Sequence, residues 1–587
     1  MHGVMPSEHH PVSLGRLCAR GWAAHEASLW GHRVEHPLVR RNGSLQPATW
    51  DAALREAARS LRAVIAAGRP VGVLGSGRAT NEENFMAARL ARGALGTPHV
   101  DACLGGPYRG VLAGLLAGGA ALDLKTALAD LSTADRILLF EDDLARTHPR
   151  VAFSMLRAVH AGAQLVTLGP LRTQLSRLAV RHIPLLPGDV PRLARDLEAV
   201  GRRVPLPEPA AEAFRCLVEA KRGAVVLALS APAADLERLA RALGKVVGEA
   251  RRDPSTWLLI PVPARANTRG AVEMGAVPAL LPGWAALDDQ SARRRLRASW
   301  ECEIVAERGL EAEAMISQAG GLVVLADHPP AAALSGTAAQ VALSELACLV
   351  TLDAFWTPTV AASQVVLPIV GPLEADGTFT NLEGRVQRLR GAVTAPGEAR
   401  PGWRALDDLS VALGLPTIAA TIGDVQAAIA AAVPPYAGAI RNGGGVVEME
   451  DISREAVAAP GARSEEPPAA GAGEPQAFPF RLTRLGSFEW GEDPLVSGSP
   501  TLRRDYQSLK RRYPGGLVAM CPDDAKRLGV REGWRVRIVS RHGSAVTAVR
   551  LRGDVEPLVL LAPFGFRDHL EPALGGEAEV AARVEVA

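Results

Sequence analysis

The densest group of potentially reactive side chains lies in one loop, residues 373–387 (LEADGTFTNLEGRVQ). Glu374 and Asp376 supply carboxylates, Asn381 an amide and Arg385 a guanidinium. Such groups hydrogen-bond the N–H groups and phosphates of nucleotide-like ligands. The loop directly follows an apolar, strand-like run that ends in Val-Val-Leu-Pro. Because α/β proteins bind ligands just past the carboxyl ends of strands, the loop is a predicted ligand site, with solvated loop acids as the alternative.

A second candidate site is a glycine-rich turn. Gly75, Ser76 and Gly77 end an apolar run, and a helix is predicted to begin near Asn81. The free N–H groups and the dipole at a helix N-terminus favour a phosphate or pyrophosphate. The bare pattern is unspecific, since any tight strand-to-helix turn favours glycine.

Several predicted elements position these groups. Apolar runs predict strands at 71–75, 137–140, 164–168, 223–229, 257–261, 321–326, 349–352 and 365–367. Amphipathic patterns between them predict helices that begin at 50 and span 81–95, 151–161 and 233–243. This alternation indicates an α/β protein with parallel, doubly wound sheets. Near the C-terminus, alternating residues at 535–540 and 545–550 flank His542-Gly543 and predict a hairpin in a mainly β domain.

Composition narrows the possible functions. A net charge of +2 in 587 residues gives no reason to expect nucleic acid or direct membrane insertion, and no apolar run approaches the length of a membrane span. The six cysteines include no CxxC pair, which favours a reducing cytoplasm and excludes a local four-cysteine cluster motif.

Longer motifs carry a family resemblance. The 373–387 loop, the segment 266–278 (ANTRGAVEMGAVP), residues 353–359 (DAFWTPT) and residues 521–530 (CPDDAKRLGV) resemble motifs of the molybdopterin oxidoreductase superfamily. The similarity is strongest to formate dehydrogenase catalytic subunits and the large peripheral-arm subunit of complex I. It implies two doubly wound, pterin-binding-type α/β domains with mostly parallel sheets and a C-terminal, mainly β barrel that binds the dinucleotide.

The resemblance also implies cofactors and ligands. The expected cofactor is molybdopterin guanine dinucleotide with molybdenum or tungsten. The implied cofactor-binding residues are Gly75, Ser76, Gly77, Asn81, Arg172, Thr173, Asn267, Arg269, Gly270, Asp353, Glu374, Asp376, Gly377, Thr378, Asn381 and Arg385. The implied divisions are a remnant of an iron–sulfur region (1–50), a first α/β domain (51–220 with parts of 370–453), a second (221–453), a linker (454–477) and the barrel domain (478–587).

The chain departs from the family pattern where formate dehydrogenases place a metal-binding cysteine or selenocysteine and a histidine. By alignment those positions fall on Pro107 and Tyr108, with Arg109 next, and proline offers a metal no donor atom. Cys103 lies four residues away. The family's Asp-Pro-Arg nucleotide loop also has Gly169 in place of its Asp. The catalytic residues therefore stay undetermined, with Pro107, Tyr108 and Arg109 as the candidates by position.

The N-terminal segment around Cys18 resembles the family's passage at the fourth ligand of a [4Fe–4S] cluster, with Arg20 at a following basic position. The other three cysteines would precede Met1, so the cluster is not complete in this chain. A split gene, a late start or a lost cluster would each explain this pattern.

Two hypotheses follow from the resemblance. In the first, the chain is a cytoplasmic redox-complex subunit whose own catalysis is reduced or lost, and it acts as a structural or assembly platform. In the second, it is an active molybdenum or tungsten oxidoreductase acting on formate or a similar small substrate, with its cluster supplied by a partner chain. Iron–sulfur or flavin-containing subunits of the NADH-dehydrogenase type are the expected partners. A weaker third hypothesis is a pterin-binding maturation or carrier protein.

Overall fold

A computed structural model describes residues 3–10, 12–30, 32–103, 105–118, 127–200, 206–250, 257–329, 336–442, 444–446, 478–485, 498–577 and 579–587. The predicted linker 454–477 lies outside these residues.

Twenty-three strands are described, and they are numbered in chain order. They are β1 Leu38–Arg41, β2 Ser44–Pro47, β3 Val71–Ser76, β4 Val100–Cys103, β5 Arg136–Glu141, β6 Gln164–Gly169, β7 Arg181–Pro184, β8 Gly223–Ala228, β9 Trp257–Pro261, β10 Leu280–Leu281, β11 Ala285–Ala286, β12 Gly321–Leu325, β13 Cys348–Asp353, β14 Val365–Pro368, β15 Gly377–Thr380, β16 Arg385–Leu389, β17 Gly444–Val446, β18 Phe480–Leu485, β19 Leu517–Met520, β20 Arg535–Ser540, β21 Ser544–Leu551, β22 Val559–Pro563 and β23 Glu579–Val586.

The described α-helices are numbered in the same way. They are α1 Ala19–Trp22, α2 Ala24–Trp30, α3 Trp50–Ala66, α4 Asn81–Arg89, α5 Gly105–Ala117, α6 Ala127–Leu131, α7 Leu144–Thr147, α8 Pro149–His160, α9 Val190–Glu198, α10 Glu208–Val218, α11 Ala233–Ala250, α12 Thr268–Glu273, α13 Gln290–Trp300, α14 Ala312–Gln318, α15 Gly336–Ser344, α16 Pro358–Ala362, α17 Gly402–Ala412, α18 Ile422–Ala432, α19 Tyr436–Arg441, α20 Arg504–Arg512, α21 Pro522–Leu528 and α22 Glu571–Leu574. A π-helical turn, Leu90–Ala94, continues α4.

The first sheet has seven strands in the order β2-β1-β14-β13-β12-β3-β4. Its strands from β14 to β4 are parallel, and β1 and β2 add an antiparallel edge. Every residue of β3 and β13 is buried, as expected for parallel strands covered on both faces. Helix α3 covers one face because Ala53, Ala57 and Leu61 recur at helical spacing and enter the core.

The second sheet has five parallel strands in the order β7-β6-β5-β8-β9. Alternate residues of β5 point to opposite faces. Leu138 and Phe140 enter the core that contains α9 and α11, and Ile137 and Leu139 enter the core that contains α8. The alternation of strands and helices read from the sequence is therefore confirmed.

The C-terminal domain is a closed barrel of six strands in the order β18-β22-β19-β21-β20-β23. The predicted hairpin is present, because β20 and β21 pair antiparallel with Val536 opposite Thr547. Closure removes the exposed strand edges that an open sheet of this size would leave. The predicted mainly β domain is confirmed.

The predicted domain boundaries do not follow the sheets. Strand β8 lies beyond the boundary at residue 220, yet it pairs with β5. Likewise β12, from the predicted second domain, pairs with β3 of the predicted first domain. Strands β1 and β2 belong to the predicted N-terminal remnant but form the edge of the first sheet. Alternation along a chain predicts that strands exist, whereas their partners depend on which distant segments bury each other's faces.

Candidate cofactor cleft and catalytic position

The carboxyl ends of β3, β12 and β13 meet in a buried polar group. Asp327 accepts hydrogen bonds from Ser76 Oγ to Oδ2 (2.9 Å) and from Arg78 Nη1 to Oδ1 (2.9 Å). Asp353 Oδ1 accepts from the Phe355 N–H at 2.9 Å, while its buried Oδ2 has no partner among the described residues. Burial raises the pKa of Asp353 to about 7. A cavity of about 40 Å³ is lined by Arg78 and Asp353, so the unpartnered oxygen lies on a residue that borders a cavity.

The glycine turn after β3 is closely packed. A Cβ on Gly75 would lie 2.6 Å from Asn84 Oδ1, and one on Gly77 would lie 2.7 Å from Arg265 Cβ. Glycine is therefore required here for the approach of protein segments. The helix that follows is capped by Thr80, whose hydroxyl accepts from the Glu83 N–H at 3.1 Å. The protein's own side chain thus occupies part of the predicted phosphate site.

Three residues predicted to bind the cofactor form one buried hydrogen-bond network. Asn81 Nδ2 donates to the hydroxyls of Thr378 (3.1 Å) and Thr380 (3.0 Å). Asn267 Oδ1 accepts from the Thr380 N–H at 2.7 Å, and its Nδ2 donates to the Ala79 carbonyl at 2.8 Å. This network attaches the 373–387 loop to the starts of α4 and α12.

Two buried carboxylates at the start of α4 bind neighbouring segments, and one of them, Glu82, binds the 373–387 loop. Glu82 accepts from the Thr378 N–H (2.8 Å) and hydroxyl (3.0 Å). Glu83 accepts from the N–H groups of Thr80 (2.7 Å) and Gly402 (3.1 Å). Burial raises the pKa of both carboxyls. Acidic side chains in the first turn of α4 oppose the binding of a phosphate at its N-terminus.

The predicted ligand Glu374 forms a buried ion pair instead of facing the cavity. Both of its oxygens accept from the Arg33 guanidinium, with Nη2 at 2.7 Å from Oε2, and the Gly371 N–H also donates to Oε2. The two side chains are only 2% and 7% exposed. Asp376 accepts from the Gly391 N–H at 3.2 Å in an exposed position. The acids of the loop are therefore engaged with protein groups.

The rest of the loop folds on itself and on α12. Asn381 Oδ1 accepts from the N–H groups of Glu383 (3.0 Å) and Arg385 (2.9 Å), which closes the turn between β15 and β16. Gly377 allows a close approach, because a Cβ there would lie 2.9 Å from Glu82 Oε2. The side-chain oxygen of Asn381 and the backbone N–H of Arg385 are therefore used to close the turn.

Arg269 and Gly270 belong to the same interior. Arg269 donates from Nε to Glu273 Oε1 (2.8 Å) and from Nη1 to the Leu382 carbonyl (2.9 Å). Tyr436 donates to the other oxygen of Glu273. A Cβ on Gly270 would lie 2.1 Å from the Asn267 side-chain oxygen, so only glycine fits. Arg269 is consequently neutralised by a buried carboxylate.

The catalytic candidates lie at the start of α5. Pro107 is half-buried and has no group that binds a metal. Burial raises the pKa of Tyr108 to about 12, and its hydroxyl has no partner among the described residues. Arg109 pairs with Asp101 at 3.0 Å and with Glu311 at 3.2 Å. Cys103 is buried in β4, and burial raises its pKa well above that of a free thiol.

The predicted nucleotide loop after β6 also bonds to protein groups. Arg172 Nε donates to Glu556 Oε1 of the barrel domain at 2.6 Å, and Thr173 Oγ1 donates to Glu141 Oε1 at 2.6 Å. A cavity of about 490 Å³ lies between the second sheet and the barrel domain. It is lined by Arg172, Ser176, Arg177, His182, Pro184 and Gly553.

Cys18 precedes the short helix α1 and is half-buried. Among the described residues, no three His, Cys, Asp or Glu side chains gather where they could hold a metal ion. The role of Cys18 as a cluster ligand therefore stays a prediction. No described helix is long and apolar enough to cross a membrane.

Comparison with known protein families shows the family to which the chain belongs. The Molybdopterin oxidoreductase profile matches residues 33–200 and 235–412, and the Molydopterin dinucleotide binding domain matches residues 497–584. The chain belongs to the molybdopterin oxidoreductase family. The resemblance drawn from the sequence is confirmed.

Several members of the family are similar along nearly the whole chain. The F420-dependent formate dehydrogenase 2 subunit alpha of Methanococcus maripaludis is 27% identical over 98% of this chain and 92% of its own. The F420-dependent formate dehydrogenase subunit alpha of Methanocaldococcus jannaschii is 24% identical over 96% and 91%. Acetylene hydratase from Pelobacter acetylenicus has the same fold, with a TM-score of 0.61 and 14% identity over 99% of this chain and 96% of its own.

A molybdopterin dinucleotide, the cofactor implied by the family, fits one of the groups described above. The buried, unpartnered Oδ2 of Asp353 is an acceptor of the kind that the N–H edge of a guanine or pterin ring requires. Arg269 is already engaged by the buried carboxylate of Glu273, whereas the Arg172 side chain pairs with Glu556 but stays 61% exposed and lines the cavity of about 490 Å³. When bound, the cofactor supplies the family's redox centre, and Asp353 would hold and orient one of its rings.

Sequence reasoning missed the partners of the predicted ligands. Arg33, Glu82 and Tyr436 are distant in sequence from the groups they bind, and no local motif marks them. Glu273, by contrast, lies one helical turn after Arg269, and the i, i+4 spacing of the two could have revealed the pair. Asp327 was detectable, because it follows the end of β12 just as Asp353 ends the neighbouring strand β13.

Proposed function

We propose that this chain is a subunit of a formate-dehydrogenase-like redox complex in which it acts mainly as a structural or assembly platform. The single observation that carries the proposal is Pro107 at the family's metal-ligand position. Its pyrrolidine ring has no thiolate, imidazole or carboxylate with which to bind molybdenum or tungsten.

The neighbours of Pro107 support this proposal. The Cys103 thiol is buried among apolar side chains, where the thiolate form is disfavoured. Tyr108 is protonated at neutral pH, as an ordinary tyrosine is, and burial makes its ionisation still less favourable by raising its pKa to about 12. Arg109 would have to leave Asp101 and Glu311 before it could bind a substrate carboxylate.

The names of the similar proteins support a formate-dehydrogenase-like complex. Two of them are named as alpha subunits of F420-dependent formate dehydrogenases, and they match this chain over almost its full length. We extend this to a multi-subunit complex in the cytoplasm. Its iron–sulfur or flavin-containing subunits, of the NADH-dehydrogenase type, would carry the electrons.

One observation favours an active enzyme as the second candidate. The unpartnered oxygen of Asp353, on a residue that borders a cavity, is an acceptor that the N–H edge of a bound pterin or guanine ring would use. In that case the chain would be a molybdenum or tungsten oxidoreductase that acts on formate or a similar small substrate without a cysteine ligand.

The deciding experiment is the analysis of molybdenum, tungsten, iron and dinucleotide pterin in the purified native complex, together with formate-dependent dye reduction. The platform function predicts no formate oxidation by the isolated chain, and none after Pro107→Cys alone. Near-stoichiometric metal and pterin with robust dye reduction would refute it and establish the second candidate. Cofactor without turnover would point to the carrier hypothesis.

A further inference from the structure

A basic surface lies where the N-terminal segment crosses α8. The Arg16 guanidinium sits over the Phe153 ring, 4.4 Å from its centroid, and Phe153 remains 38% exposed. Arg20 donates to the Thr147 carbonyl, which attaches the segment just before α8. The segment therefore adds its arginines to those of the helix.

Three arginines concentrate positive charge on this surface. They are Arg16 of the N-terminal segment and Arg150 and Arg157 of α8. Arg150 lies three residues before Phe153 and Arg157 four residues after it, so these two arginines and the ring share one face of α8. Burial lowers the pKa of Arg150, and the nearby charges of Arg16 and Arg157 lower it further, against an opposing effect of Glu383. None of the three arginines forms an ion pair within the described part of the chain.

The surrounding acids offset this charge only in part. Glu383 attracts the Arg150 guanidinium electrostatically, and its carboxylate also accepts from the Leu128 N–H at 3.2 Å. Asp143 pairs at 3.7 Å with a different arginine, Arg146. Moreover, α8 has no acidic residue in its first turn, so Arg150 adds to the positive end of the helix dipole. Such a concentration of like charge is unfavourable in the free protein and is relieved by an acidic partner.

We propose that the surface formed by Arg16, Arg150, Phe153 and Arg157 docks an acidic electron-carrier protein of the ferredoxin type. The proposal rests on the proposed function as a redox-complex subunit. Arginine and an exposed aromatic ring are the residue types that dominate protein interfaces, which favours a protein over a lipid surface. The whole chain has a net charge of only +2, so the surface is a local feature. The N-terminal segment also brings Cys18 close in sequence to this surface.

The test is direct binding of a purified, acidic [2Fe–2S] ferredoxin to the full-length protein at low and at physiological salt. Binding should weaken about tenfold in the double variant Arg150→Gln/Arg157→Gln, and its salt dependence should decrease. Phe153→Ala should also weaken binding without changing its salt dependence. The matched control is Arg55→Gln/Arg388→Gln, since both arginines are exposed and form no ion pair within the described part of the chain.

Equal binding by the double variant and the wild type would overturn the proposal, as would equal weakening in the control. Vesicles containing phosphatidylglycerol form a second arm. Arginine-dependent vesicle binding without ferredoxin binding would assign the surface to a membrane and overturn the proposal. Metal and pterin content, measured on the same samples, separates this failure from failure of the proposed function.

Discussion

The ion pair between Arg33 and Glu374 gives the sharpest test of whether the 373–387 loop binds a cofactor or supports the fold. Both side chains are almost fully buried, and the contact is bidentate. Removing one partner of a buried pair costs about 3–5 kcal/mol, because the other charge stays buried without compensation. Glu374→Gln keeps one acceptor oxygen, so we expect about 3 kcal/mol, at the lower end of that range.

The loss of stability in Glu374→Gln should be confined to the 373–387 loop and its neighbours, and amide hydrogen exchange measures such local changes. The Gly371 N–H donates to the Glu374 carboxylate, and the Ala375 and Ala392 N–H groups donate to backbone carbonyls next to it. A cost of about 3 kcal/mol corresponds to roughly 100-fold faster exchange if these amides exchange through local opening. Peptides that cover the loop report this directly by mass spectrometry.

The control is Glu35→Gln, because the Glu35 side chain is exposed and makes no ion pair within the described residues. The double variant Arg33→Met/Glu374→Met should recover much of the protection, since apolar replacement removes both buried charges. Wild-type exchange in Glu374→Gln would refute the structural role. A loss of bound pterin that the double variant fails to restore would instead establish Glu374 as a cofactor ligand.

Three further predictions concern the catalytic position and the acid at the end of β13. Tyr108→Phe should raise thermal stability by about 1 kcal/mol, because it removes a buried hydroxyl with no described partner, and a lower melting temperature would contradict this. Arg109→Met should cost about 3 kcal/mol in denaturant unfolding by leaving Asp101 buried without its cation, whereas Arg308→Met, at an exposed pair, should cost less than about 1 kcal/mol. Between the unfolded-state pKa of Asp, about 4, and its folded pKa of about 7, Asp353 binds a proton only in the folded state. Stability should therefore fall as pH rises through this window, and Asp353→Asn should make that dependence shallower in unfolding midpoints measured from pH 4.5 to 7.5, while an unchanged slope would refute the assignment.

Much of the fold was predictable because local patterns specify it. The six consecutive buried residues of β3 and the helical spacing of Ala53, Ala57 and Leu61 identify a parallel strand and its covering helix. The motifs around Asn267 and Glu374 identify the family. Strand pairing was not predictable, because β8 joins β5 across more than eighty residues of intervening chain.

The sequence by itself determined the family, the order of strands and helices, and the absence of a metal-binding side chain at Pro107. Those properties depend on residue identity and local spacing. Only the tertiary structure decided what the polar residues bind. It joins Glu374 to Arg33, Arg269 to Glu273 and Arg109 to Asp101. A buried charge is stable only beside its partner, and for Glu374 that partner comes from a segment 341 residues away, which the fold and not the local sequence brings close.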